Sequence, residues 1–141
     1  MDRLYCKLLV IILLCLFSAS AGAQEAFYMV DGNTIEVNTC LHPFGYLLDD
    51  GGQTDDYSNN FDGYVILSAP LGVTITVSGS YYTESCCDYL KCYDGYGSVS
   101  SVLLGDFRGN GTMMVSSSSG YLTLHFHTDF SVVHSGFELS V

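Results

Sequence analysis

The sequence predicts an all-β domain built as an antiparallel sandwich or barrel, and three observations predict it. Val73-Thr74-Ile75-Thr76-Val77, Tyr121-Leu122-Thr123-Leu124-His125-Phe126-His127 and Phe137-Glu138-Leu139-Ser140-Val141 alternate apolar and polar residues, the period of a half-buried strand. Turn signals punctuate the chain at short, even intervals: Asp50-Gly51-Gly52, Pro70-Leu71-Gly72, Asp94-Gly95, Asn110-Gly111 and Ser119-Gly120. No stretch of useful length after residue 23 has a helical period. In chain order the expected strands are residues 34–37, 63–67, 73–77, 89–93, 101–104, 112–115, 121–127 and 137–141. Ser116 to Ser119 read as a loop before a strand.

Residues 1–23 read as a secretory leader. Arg3 and Lys7 make a positive start, the run from Leu8 to Phe17 is apolar, and Ala21-Gly22-Ala23 supplies a small-residue cleavage site. That run is too short for a bilayer, which needs about 20 apolar residues. Cleavage there would deliver the chain to an oxidising, extracellular setting. The expected organisation is therefore a signal peptide over 1–23, an N-terminal strand extension over 24–39 and one β-sandwich domain over 40–141.

The charge is strongly acidic, with a formal net charge of −11. Beyond the leader only Lys91 and Arg108 carry fixed positive charge, while Asp2 is the one carboxylate the leader removes. Nucleic acid is thereby excluded as a partner, because its phosphates need Lys and Arg. An anionic membrane surface is excluded for the same reason. Cations and basic groups on a partner protein fit instead.

The chemistry concentrates in two acidic loops. Glu84-Ser85-Cys86-Cys87-Asp88 links two expected strands, and Thr128-Asp129-Phe130-Ser131 follows a third. Oxygen ligands gathered from separate loops of a sandwich suit a hard cation such as Ca²⁺.

Asp88-Tyr89-Leu90, followed by Tyr93-Asp94-Gly95, resembles the central signature of the CUB domain, a secreted β-sandwich of jelly-roll type. The resemblance continues in order through Pro70-Leu71-Gly72, Leu104-Gly105-Asp106-Phe107-Arg108-Gly109, Ser117-Ser118-Ser119-Gly120-Tyr121, Thr128-Asp129-Phe130-Ser131 and Gly136-Phe137. It covers roughly Cys40 to Val141. Asp50-Gly51-Gly52 with Tyr57-Ser58-Asn59-Asn60 is similar to a variant found in microbial and protist secreted proteins. The resemblance implies a Ca²⁺ site made by Glu84, Asp88 and Asp129, with Ser131, backbone carbonyls and water completing 6–8 oxygens. It also implies ligand contacts at Tyr57, Glu84 and Asp129, with a partner's Lys or Arg accepted at the residual negative charge.

The family's two disulfides are each half missing. The positions that would pair with Cys40 and with the Cys86/Cys87 region fall near Asp62 and at Arg108. If residues 88–92 are extended, Cys87 and Cys92 lie ~16 Å apart, and a disulfide needs Cα atoms within ~7 Å. Cys92 therefore reads as a buried free thiol. Cys40 bonded to Cys86 or Cys87 is expected, and a cysteine left over would permit an intermolecular bond.

Asn110-Gly111-Thr112 is an N-glycosylation sequon as well as a turn signal, so Asn110 is a modification candidate. His125 and His127 share one strand face but lack an obvious local third ligand for Zn²⁺, although His134 lies in the following loop, and they read as solvated positions on an outer sheet face. No nucleophile elbow, zinc-protease motif or phosphate loop occurs, so no catalytic residue is assigned. The expected function is a secreted binding module, not an enzyme, whose Ca²⁺-ordered loops recognise a protein or glycan. The first alternative is a structural component that self-associates in an extracellular matrix or coat. The second is a metal-dependent hydrolase using Glu84 and Asp88.

Overall fold

The computed structural model describes residues 24–43 and 45–141. The leader expected over residues 1–23 lies outside the described residues. Ten strands form among the described residues: β1 (Glu25–Tyr28), β2 (Thr34–Asn38), β3 (Gly45–Leu48), β4 (Asp62–Ser68), β5 (Ile75–Tyr82), β6 (Tyr89–Asp94), β7 (Val102–Phe107), β8 (Asn110–Ser117), β9 (Tyr121–His127) and β10 (Gly136–Ser140). They make two five-stranded sheets, ordered β1-β3-β10-β5-β8 and β2-β4-β9-β6-β7.

Each alternating segment contributes to a strand, because alternation lets one face of each sheet bury its apolar side chains; Val73 and Thr74 lie before β5, which starts at Ile75, and Val141 lies after β10. Leu122, Leu124 and Phe126 of β9 pack with Val65 and Leu67 of β4 and Leu90 and Cys92 of β6. From the facing sheet Leu47, Val77, Val115, Phe137 and Leu139 complete the core. Two strands lie outside the expected strand ranges. β1 and β3 are four residues each, and each gains its place by pairing rather than by pattern. Residues 24–39 thus supply an edge strand to each sheet, through parallel β1–β3 and β2–β4 pairs. The remaining pairs are antiparallel.

The turn expected at Asn110-Gly111 is displaced. Asn110 already belongs to β8, opposite Tyr82, and the chain turns at Gly109 with φ +73°. β7 and β8 lie in different sheets, so this corner is a crossing between layers and not a tight hairpin.

Strand direction also corrects the disulfide. Cys86 and Cys87 are bonded to each other, so neither is the partner of Cys40. β2 runs parallel to β4, and the Thr39 amide bonds the Ser68 carbonyl at 2.9 Å, which puts Cys40 at the Ser68 end of the sheet. Cys86 and Cys87 precede Tyr89, which pairs with His127 at the Asp62 end. The seven residues of β4 separate the two ends, roughly 20 Å at the rise of a strand, far beyond disulfide reach. Cys92 is free and fully buried, as expected. Burial pushes its thiol up to about 12, so it is no surface linker for an intermolecular bond.

Candidate functional site

Three chain segments converge at the Asp62 end of the sandwich. β5 ends at Tyr82 and delivers Glu84 from one sheet. β6 and β9 are neighbours in the other sheet, with Tyr89 opposite His127, so the residues just outside them, Asp88 and Asp129, meet. One carboxylate oxygen from each of Glu84, Asp88 and Asp129 lies within 4.8 Å of the other two. Opposite oxygens of a Ca²⁺ coordination shell stand about 4.6–5.2 Å apart, so oxygens this close can share one ion.

The backbone around the cluster is held tightly. Asp88 accepts the Asp129 amide at 2.8 Å on one oxygen and the Tyr57 hydroxyl at 2.6 Å on the other. The same Tyr57 oxygen accepts the Glu84 amide at 3.0 Å. Thr128 accepts the Phe61 amide at 2.9 Å and donates to the Ser58 carbonyl at 2.8 Å, lashing residues 58–61 to the second acidic loop. Ser131 donates its amide to Asp129 at 2.9 Å, which turns the loop and aims that carboxylate. On the far side the Thr83 hydroxyl accepts the Gly109 amide at 3.1 Å.

Against this order, Glu84 Oε2 is buried without any hydrogen-bond partner. A buried carboxylate oxygen with nothing bound is costly, and a cation is its natural partner. Burial raises the Glu84 pKa, and the negative Asp129 and Asp88 raise it further, with His134 opposing. Three carboxylates, one with a buried oxygen lacking a partner, are a donor set that fits Ca²⁺.

Tyr57 does not face a ligand. It is 1% exposed, its ring meets Phe126 edge-on at 5.2 Å, and its hydroxyl is taken by Asp88 and Glu84. Burial, then the Asp88 bond, raises its pKa, so it remains a donor. It ties the acidic loops to the aromatic core from below. Sequence reading missed this because a Tyr in a Gly- and Asp-rich stretch carries no mark of where its ring goes.

Other features surface only in three dimensions. Phe130 is 76% exposed and Val132 is exposed beside it, on the loop that carries Asp129. Val132 has φ +62°, a conformation β-branched residues avoid, and such strain gathers at ligand loops. Arg108, at the position where the family would place a cysteine, holds Asp106 through both carboxylate oxygens and donates to the Cys86 carbonyl at 3.0 Å. Asn110 is exposed at the start of β8. His125 is not solvated, since only 8% of it is exposed and its Nε2 lies 2.6 Å from Asp62.

Comparison with known proteins agrees with this fold. Residues 50–141 match the CUB domain family. Cubilin of Rattus norvegicus is 35% identical over 94 residues, which is 62% of this chain, and the chain spans 3% of cubilin's length. Among solved structures, the CUB1-EGF-CUB2 region of rat MASP-1 superimposes with TM-score 0.62 at 20% identity, covering 76% of this chain and 41% of that one. The MASP-1 CUB2 domain bound to Ca²⁺ superimposes with TM-score 0.62 at 18% identity, covering 79% of this chain and 97% of that one. The two-sheet sandwich, the ordered signature residues and the match over residues 50–141 lead to one conclusion: the chain belongs to the CUB domain family, a family of protein-binding modules rather than enzymes.

Proposed function

We propose that this protein is a secreted binding module whose loop end is ordered by Ca²⁺ and recognises an extracellular protein through a Lys or Arg side chain. The observation that carries the reading is the buried, unpartnered Oε2 of Glu84, a residue whose carboxylate clusters with those of Asp88 and Asp129. The Ca²⁺ reported for the MASP-1 CUB2 domain, whose fold this chain shares, supports it. Glu84, Asp88 and Asp129 would hold the ion, with Ser131 and backbone carbonyls as further oxygens. The ion would neutralise part of the acidic cluster and leave about one negative charge for a basic partner group. Glu84 and Asp129 are the ligand-facing residues of this reading, and exposed Phe130 and Val132 add an apolar rim. A glycan ligand would use the same end, and Asn110 would carry an N-linked glycan.

Calcium titration by calorimetry and thermal melting tests the reading, with Glu84→Ala and Asp129→Ala as companions. One saturable site that raises Tm in the wild type and disappears in both variants supports it. No heat and no shift in Tm in the wild type overturns it.

A further inference from the structure

We propose a second metal site, for Zn²⁺ or a similar nitrogen-preferring divalent ion, formed by Asp62, His125 and His127 on the outer face of the β4-β9-β6 sheet. It does not rest on the calcium reading.

Two histidines separated by one residue on β9 point the same way, and the pairing of β4 with β9 sets Asp62 opposite His127. Asp62 Oδ1 lies 2.6 Å from His125 Nε2 and 3.3 Å from His127 Nδ1. One ligand atom from each of the three falls within 4.8 Å of the others. Zinc bonds of about 2.0–2.1 Å place tetrahedral ligands roughly 3.3 Å apart. The Asp62–His127 distance already has that value. The short His125–Asp62 contact has to open slightly, and Asp62 and His127 are the exposed members, with side chains 55% and 40% accessible.

The rings are pre-oriented. Tyr64 stacks on His125 with centroids 4.0 Å apart, and Tyr89 meets His125 edge-on at 5.3 Å and stacks on His127 at 5.1 Å. Lys91 stands opposite His125 on β6. Its ammonium is occupied by the Tyr89 ring at 4.1 Å and by Asp106 at 3.8 Å. Two imidazoles with one carboxylate favour Zn²⁺ over the all-oxygen shell of Ca²⁺. Three protein ligands on an open face leave a fourth position for water or a donor from another molecule.

The test is a Zn²⁺ titration of the whole protein in buffer with Ca²⁺ in excess, so that the acidic loops do not compete. The proposal expects one equivalent bound, with selective shifts of the His125 and His127 ring resonances. His127→Ala and Asp62→Asn, both at accessible side chains and checked for unchanged Tm without metal, should each weaken binding at least tenfold. Absence of saturable Zn²⁺ binding overturns the proposal and leaves the three residues as a hydrogen-bonded network. Shifts at His42 or His134 instead, or binding unchanged in both variants, overturns it equally.

Discussion

Tyr57 and Asp88, 31 residues apart, are joined by a 2.6 Å hydrogen bond in the interior, and that bond couples the acidic loops to the core. The phenol reaches Asp88 from a ring seated on Phe126, which itself packs on Phe61 and Phe137. Because the same oxygen accepts the Glu84 amide, one side chain sets the height of two of the three clustered carboxylates.

Tyr57→Phe keeps the ring packing and removes only the hydroxyl. Asp88 loses a donor and the Glu84 amide loses its acceptor. The expected loss is about 1–3 kcal/mol of stability, read by urea denaturation. Ca²⁺ affinity should fall several-fold in the same variant, while the far-UV spectrum stays that of the wild type. Unchanged stability would show that the bond adds nothing over water.

The carboxyls of Asp49 and Asp94 should shape stability in opposite directions. Burial pushes Asp49 up to about 6, even though the Phe137 and Gly51 amides donate to it at 2.7 and 2.8 Å. The folded chain therefore keeps a proton that the unfolded chain has already released. Stability should decline as pH rises from ~4 to ~6, by about 3 kcal/mol from this group. Asp94 is held below the usual range by hydrogen bonds from Ser117 and Ser119. Its contribution is present above ~3.9 and fades as pH falls below that value. Denaturation across pH 2–8 with Asp49→Asn and Asp94→Asn checks both. The first variant should flatten the middle of the profile and the second its acid limb. The Gly51 and Phe137 amide resonances should titrate with a midpoint near 6.

Gly136→Ala should be severely destabilising. Gly136 has φ +70°, and a Cβ there would run into the Asp49 carboxylate. The left-handed conformation alone costs about 1–2 kcal/mol with a side chain, and the clash adds to it. A Tm drop no larger than that of Gly72→Ala, where φ is +86° but the space is open, would count against the clash.

Thiol labelling should separate the cysteines. In native protein without reductant Cys92 should not react, because it is buried and its thiol is pushed up to about 12. Mild reduction should expose Cys86 and Cys87 to alkylation while Cys92 stays protected. Labelling of Cys92 in the folded state would contradict the core position.

The sequence by itself determined the all-β class, the strands with strict alternation, and the acidic residues that gather at one end. Alternation is local physics: a period of two forces one face inward, so residues 121–127 or 75–77 declare their role without knowing their neighbours. Glu84, Asp88 and Asp129 were legible as members of two acidic loops, and as a set through the resemblance to the CUB signature. Only the tertiary structure decided what depends on pairing across the chain. Parallel pairing of β2 with β4 sends Cys40 to the end away from Cys86 and Cys87, and no spacing rule contains that direction. Register between β4 and β9 gives His125 and His127 the third neighbour, Asp62, that the local sequence lacks. Tyr57 turns from a candidate contact into a buried strut for the same reason, since burial is a property of the packed sheets and not of the residue.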